Sequence, residues 1–174
     1  MKKLLTLAIC AILLCATLAS CGKSDDGVPD GMMLASGDAA NYYMYIPEDW
    51  TVDLQTGATT AHVSSSDRSN VGAYSWTLEY SDDTVDTWYE RQLEDLKAGF
   101  DDYKEESVSD TVIDGVNAKE YVFTATLGGE ARMYRQTAAV KSGYVYVITY
   151  STTPELFDEH SSDAYRIVEE FRFK

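Results

Sequence analysis

The stretch from Asp114 to Thr152 constrains this chain most, because it reads as consecutive strands joined by tight turns. Residues 116–127 alternate, with Tyr121, Phe123, Ala125 and Leu127 on one side, and a Gly128-Gly129 pair follows. Asp-Gly and Gly-Gly pairs suit two-residue hairpin turns, in which both central residues need a positive φ that glycine adopts without steric cost. Asp114-Gly115 opens the run, and Lys141-Ser142-Gly143 turns the chain between 131–140 and 144–152. In the last segment Tyr144, Tyr146, Ile148 and Tyr150 face one way, and Val145, Val147 and Thr149 the other. Apolar residues on both faces predict a strand covered on both sides, so the three strands from 116 to 152 are expected in the middle of a sheet.

Upstream, segments 32–35, 42–46, 50–54 and 61–64 read as short strands, with Pro47-Glu48-Asp49 turning between the second and third. Residues 71–80 place Tyr74, Trp76, Leu78 and Tyr80 on one large apolar face, which should meet a helix or a second layer. A helix follows, with Thr84 or Asp83 as N-cap, Asp86 in the first turn and a stop near Gly99. Val85, Trp88, Tyr89, Leu93, Leu96 and Phe100 recur at helical spacing, so this helix should lie on the sheet. Another strand is expected at 103–108. Thr153, Pro154 and Glu155 begin a terminal helix whose buried face carries Leu156, Phe157, Ala164, Ile167, Val168 and Phe171. Residues 161–163 are a break point, with Ser162 capping a second piece that runs to about Glu170 before an extended end. The fold class is therefore α+β: an antiparallel sheet built as a hairpin meander and flanked by two amphipathic helices.

Residues 1–20 are different in kind. Lys2 and Lys3 precede a nearly unbroken apolar run over 4–18, and Leu18-Ala19-Ser20-Cys21 follows. The run is short for a membrane span and suits a signal segment. The stretch resembles a bacterial lipoprotein signal, which implies diacylglyceryl transfer to the Cys21 thiol and cleavage just before it; an ordinary secretory signal or a slightly short membrane helix are the alternatives. Two or three acyl chains would anchor the protein stably to the cell membrane on its extracytoplasmic side, where a single chain is marginal. Cys10 and Cys15 fall within the signal, so the processed chain would hold neither disulfide nor free thiol and would rely on packing alone. Residues 21–30 have almost nothing apolar to bury and read as a flexible tether, leaving 31–174 as one folded domain.

Loss of Lys2 and Lys3 takes the net charge from −15 to −17, which argues against nucleic acid as a partner and for a self-repelling surface. His62 and His160 are the only histidines, and neither has neighbours at metal or triad spacing. No Gly-x-Ser-x-Gly elbow is present, and the glycines lie outside any phosphate-loop context. Asp82, Asp83 and Asp86 could form a loose calcium site with Asp101-Asp102, but they lack the spacing of a calcium loop, and capping accounts for Asp83 and Asp86. No metal, cofactor or catalytic constellation is expected. The remaining lead is a tyrosine-rich surface. Tyr42, Tyr43 and Tyr45 cannot all point inward from one strand, and Arg68 with Asn70 lies beside Tyr74. Tyr42, Tyr43, Arg68 and Asn70 are therefore the candidate binding surface.

Tyr45-Ile46-Pro47-Glu48-Asp49-Trp50, then Asp67-Arg68-Ser69-Asn70-Val71, a mid-chain amphipathic helix, Asp114-Gly115-Val116-Asn117-Ala118 and a terminal Ile167-Val168-Glu169-Glu170-Phe171-Arg172-Phe173 together resemble the PsbP-like superfamily. The resemblance spans residues 31–174 and implies an α/β sandwich that acts as a non-enzymatic binding or assembly module, carrying over no catalytic residue and no photosynthetic role. The expected function is a lipid-anchored extracytoplasmic module that docks to an envelope protein or complex. The alternative is a receptor for a small molecule or cation in a pocket between sheet and helix.

Overall fold

Three turns set the frame of the sheet. Asp114 and Gly115 (φ 47° and 76°), Gly128 and Gly129 (64° and 86°) and Ser142 and Gly143 (52° and 79°) all have positive φ. Two successive positive-φ residues twist a hairpin the same way as its strands, so each turn folds the chain back onto its predecessor. The computed structural model describes residues 27–55 and 58–174. The signal, Cys21 and most of the tether lie outside the described residues.

The strands are β1 (Met32–Leu34), β2 (Tyr42–Tyr43), β3 (Tyr45–Pro47), β4 (Thr51–Gln55), β5 (Ala58–His62), β6 (Asn70–Thr77), β7 (Lys104–Ile113), β8 (Val116–Leu127), β9 (Glu130–Lys141), β10 (Tyr144–Thr152) and β11 (Arg172–Phe173). Helices α1 (Val85–Gly99) and α2 (Ser161–Glu169) follow β6 and a 3-10 turn at Pro154–Leu156, respectively. The main sheet has seven strands in the order β4-β5-β6-β10-β9-β8-β7, with every neighbouring pair antiparallel. β10 is central, and β6 joins it in the register Asn70 with Ser151 through Thr77 with Tyr144. β8 lies one strand in from the edge, because the strand expected at 103–108 extends to Ile113 as β7 and covers it.

The expected strand 42–46 is split. β2 pairs with β11 and β3 with β1, while Met44 between them receives the Ala35 N–H on its carbonyl (2.8 Å) and donates its own N–H to Ser36 Oγ (3.1 Å). The segment 61–64 begins earlier, as β5 at Ala58, and β6 ends at Thr77.

Alternation along the strands sorts the interior into two clusters on opposite faces of the sheet. On one face Val71, Ala73, Ala139, Tyr146 and Ile148 meet Tyr42, Met44, Ile46 and Trp50 of the N-terminal segment, together with Phe157, Ile167 and Phe171. Alanines on the strands leave room for these large side chains, and the Tyr42 ring stacks on Phe171 at 5.1 Å. On the other face Tyr121, Phe123, Tyr134, Ala138, Val145 and Val147 meet Trp88, Tyr89 and Leu96 of α1. Each buried aromatic contributes on the order of 2 kcal/mol by leaving water.

Thr84 caps α1 through a reciprocal pair: its side chain accepts the Thr87 N–H, and its own N–H donates to Thr87 Oγ1 at 3.0 Å. The terminal region differs from expectation. Thr153 and Pro154 start only a 3-10 turn, and the N-cap of α2 is His160, whose side chain makes no capping bond, rather than Ser162. His160 Nε2 lies 2.7 Å from Asp67 Oδ2, its ring is edge-on to Trp50 at 6.3 Å, and Ser161 Oγ donates to the Phe157 carbonyl at 2.6 Å. Long-range contacts therefore fix where α2 starts.

Candidate binding cleft

The face that carries α1 is only partly covered. α1 packs over β8 and β9, so β6 lies at its margin. The register shows what remains. Tyr74 with Val147 and Ala138, and Trp76 with Val145 and Val140, form apolar rows near the helix. Asn70 with Ser151 and Tyr134, and Gly72 with Thr149 and Gln136, form more polar rows beyond it. The apolar face expected for 71–80 is thus only partly covered: Leu78 packs against the cluster under α1, while Tyr74 is 42% and Trp76 45% exposed. Trp76 approaches the Trp88 ring of the helix at 6.3 Å. The opposite face of β6 is the buried one, because Ala73 there gives Tyr42 room to descend onto the strand.

Beyond α1 the sheet floor forms an open cleft of about 490 Å³ whose walls include Arg68, Asn70, Arg132, Gln136, Thr149 and Ser151. Its polar side chains are held in place. Arg132 donates from Nε (3.2 Å) and Nη2 (3.0 Å) to Ser151 Oγ, and Gln136 Nε2 donates to Thr149 Oγ1 at 3.0 Å. Gly72 shapes the floor. A Cβ there would stand 3.0 Å from Tyr74 Cε2 and 3.3 Å from its hydroxyl, so the ring lies over the glycine. A second hollow of about 210 Å³ adjoins the first, shares Tyr74, Gln136 and Thr149 with it, and adds Trp76, Trp88, Tyr121 and Val147.

Burial pushes the Tyr121 and Tyr134 phenols up from their ordinary value, so both stay protonated at physiological pH and act as neutral groups. Among the described residues, no group of three or more His, Cys, Asp or Glu is placed to hold a metal ion. No helix of the described residues is long and apolar enough to cross a membrane. His62 is half-buried on β5, and His160 is engaged by Asp67.

The candidate surface read from the sequence separates into three places. Tyr42 is 2% exposed and donates its hydroxyl to the Ala73 carbonyl at 2.8 Å, so it belongs to the core and not to a surface. Tyr43 is exposed on the short β2–β11 pair, with Lys174 Nζ 4.7 Å from its ring centroid. Arg68 and Asn70 line the cleft, and Tyr74 joins them there. Arg132, Tyr134, Gln136, Thr149 and Ser151 escaped sequence reasoning. Their signal was polar residues sharing one face of each strand, Arg132 and Gln136 on β9 and Thr149 and Ser151 on β10.

No protein-family model and no curated protein matches the sequence. Solved structures do match. The solution structure of cyanobacterial PsbP from Synechocystis sp. PCC 6803 is 17% identical, with a TM-score of 0.58 over 90% of this chain and 99% of that one. A Pseudomonas aeruginosa protein of unknown function is 21% identical, with a TM-score of 0.56 over 78% of this chain and 91% of that one. LpqN of Mycobacterium tuberculosis, described as involved in cell envelope biogenesis, is 12% identical, with a TM-score of 0.51 over 76% of this chain and 83% of that one. The α+β arrangement and these neighbours agree with the resemblance read from the sequence: the chain has the PsbP-like fold.

Proposed function

We propose that this protein is an extracytoplasmic, non-catalytic binding module, held at the cell membrane by acyl chains on Cys21, and that its ligand occupies the cleft beside α1. The observation that carries the reading is the cleft itself, where fixed polar side chains and half-exposed aromatic rings share one concave floor, as in small-molecule sites. The likeness to a protein involved in cell envelope biogenesis supports an envelope setting. Docking of an envelope protein is the second reading, favoured by the exposure of Tyr74, Trp76 and Tyr80 on this one side.

A photo-crosslinking amino acid at position 76, compared with one at the exposed Val112 of the edge strand, tests both readings in intact cells. Position 76 should give a discrete adduct and position 112 none. A small mass increment identifies a small ligand and a protein-sized one a docking partner, whereas equal labelling at both positions, or none, overturns the cleft as the binding site. Cys21→Ala should abolish labelling with palmitate, and retained label would overturn the anchor.

A further inference from the structure

The charge of the cleft departs from that of the chain. With 29 acidic and 14 basic residues, carboxylates outnumber cations about two to one. Arg91 pairs with Asp83, Lys119 lies 2.8 Å from both Asp86 and Asp110, and Arg172 lies 3.0 Å from Glu170. Arg68 and Arg132 line the same cleft, and among the described residues neither has a carboxylate partner. Arg132 is instead anchored on the Ser151 hydroxyl, which orients its guanidinium while leaving its charge uncompensated.

Two further features bear on what the cleft could hold. Tyr134 lines the cleft, is 8% exposed, and among the described residues its hydroxyl makes no hydrogen bond of normal geometry, although Arg132 and the Ser151 hydroxyl stand close enough to offset part of the burial penalty on its phenol. A buried hydroxyl left unpaired costs about 1–3 kcal/mol, so such groups mark places where a ligand or water completes the structure. The side of the cleft toward α1 is aromatic, with the Tyr74 ring lying over Gly72 and leading to Trp76 and Trp88. Glu130, the one carboxylate in the lining, stands against two guanidiniums, while the hollow along the outer edge of α1 has Glu79, Glu94 and Asp95 against Arg91 alone.

We infer that the cleft takes an organic anion, its carboxylate or phosphate group held by Arg68, Arg132 and Asn70 and its flat or apolar body lying along Tyr74 toward Trp76 and Trp88. The inference rests on the cleft being the binding site and adds the chemistry of what it binds. Guanidinium groups suit carboxylate and phosphate because their planar donors match two oxygens at once. The aromatic floor supplies apolar area that inorganic phosphate cannot use.

The test titrates the full-length protein in a nonionic detergent with phenyl phosphate, phenylacetate, inorganic phosphate and benzyl alcohol, following tryptophan emission. Trp76 and Trp88 border the aromatic hollow, whereas Trp50 is buried on the other face. Phenyl phosphate or phenylacetate should bind saturably, about tenfold or more tightly than benzyl alcohol, and more weakly as salt is raised. Comparing the two anions decides between phosphate and carboxylate. Arg132→Gln should weaken binding about tenfold, and Glu130→Gln, at the exposed first residue of β9, should strengthen it by removing the opposing charge. Benzyl alcohol binding as tightly as the anions, or indifference to both substitutions, would overturn the anion while leaving the cleft as a site for another ligand. No saturable response to either aromatic anion would overturn the inference too. Failure of the cleft itself would show separately, as a missing adduct at position 76.

Discussion

Two buried tyrosine hydroxyls offer a controlled comparison, because one is hydrogen-bonded and the other is not. Tyr42, 2% exposed, donates to the Ala73 carbonyl at 2.8 Å and lies 3.2 Å from the Thr59 hydroxyl, itself only 1% exposed. Tyr121 is fully buried, and its hydroxyl has no hydrogen-bond partner among the described residues. Phenylalanine fits either space, so the substitutions differ only in what each hydroxyl was doing. Tyr42→Phe loses a net hydrogen bond of about 1 kcal/mol and leaves buried groups less satisfied, for a total of about 1–2 kcal/mol. Tyr121→Phe removes a polar group that was desolvated without compensation, so its effect should lie between neutral and a gain of about 1 kcal/mol. For a domain of this size these values correspond to a fall of roughly 2–8 °C in Tm for the first and no fall for the second. Urea unfolding followed by circular dichroism, with m unchanged, measures both. If Tyr121→Phe cost as much as Tyr42→Phe, its hydroxyl would have to be paired, and the reasoning from orphaned hydroxyls, including that of Tyr134, would fail.

Four other perturbations follow from local geometry. Burial raises the Asp67 carboxyl, but hydrogen bonds from Ser69 and His160 outweigh this and hold it below the usual carboxylate range. Its contribution to stability is therefore present above an unfolded-state value of about 4 and lost as pH falls through the lower folded value; Asp67→Asn should flatten the acid limb of a Tm-against-pH curve, and an unchanged limb would count against the pairing. Thr84→Ala should cost about 1 kcal/mol by removing the α1 cap, seen as a lower Tm. At Ser142, with φ 52°, asparagine should be neutral or slightly stabilising and valine should cost about 1–2 kcal/mol, so a valine variant as stable as the parent in urea would be a negative result. Gly72→Ala should leave the fold intact but push the Tyr74 ring off the floor, visible as shifted Tyr74 ring resonances in NMR spectra.

What was legible in the sequence was local. The Asp-Gly and Gly-Gly pairs specified hairpin turns because few residues tolerate their backbone, and Thr84 with the spacing of Trp88, Tyr89 and Leu96 specified α1 because capping and periodicity act within a few residues. Alternation also sorted each strand into two faces. It could not say which layer would lie on which face. Tyr74 and Trp76 formed the larger apolar face of β6, yet the small face carrying Ala73 became the core, since Tyr42 and Phe171 arrive there from distant parts of the chain. Tyr42 and Tyr43 were indistinguishable until pairing of β2 with β11 turned one inward and the other outward. The start of α2 followed a contact between His160 and Asp67 across 93 residues instead of the local cap at Ser162. The cleft was the least legible feature, because Arg68, Asn70, Arg132 and Ser151 meet only after β6, β10 and β9 pair in one register. Turn chemistry and periodicity act through neighbours along the chain and can be read from it, whereas burial and shared charge depend on which strands lie side by side, and only the tertiary structure decided that.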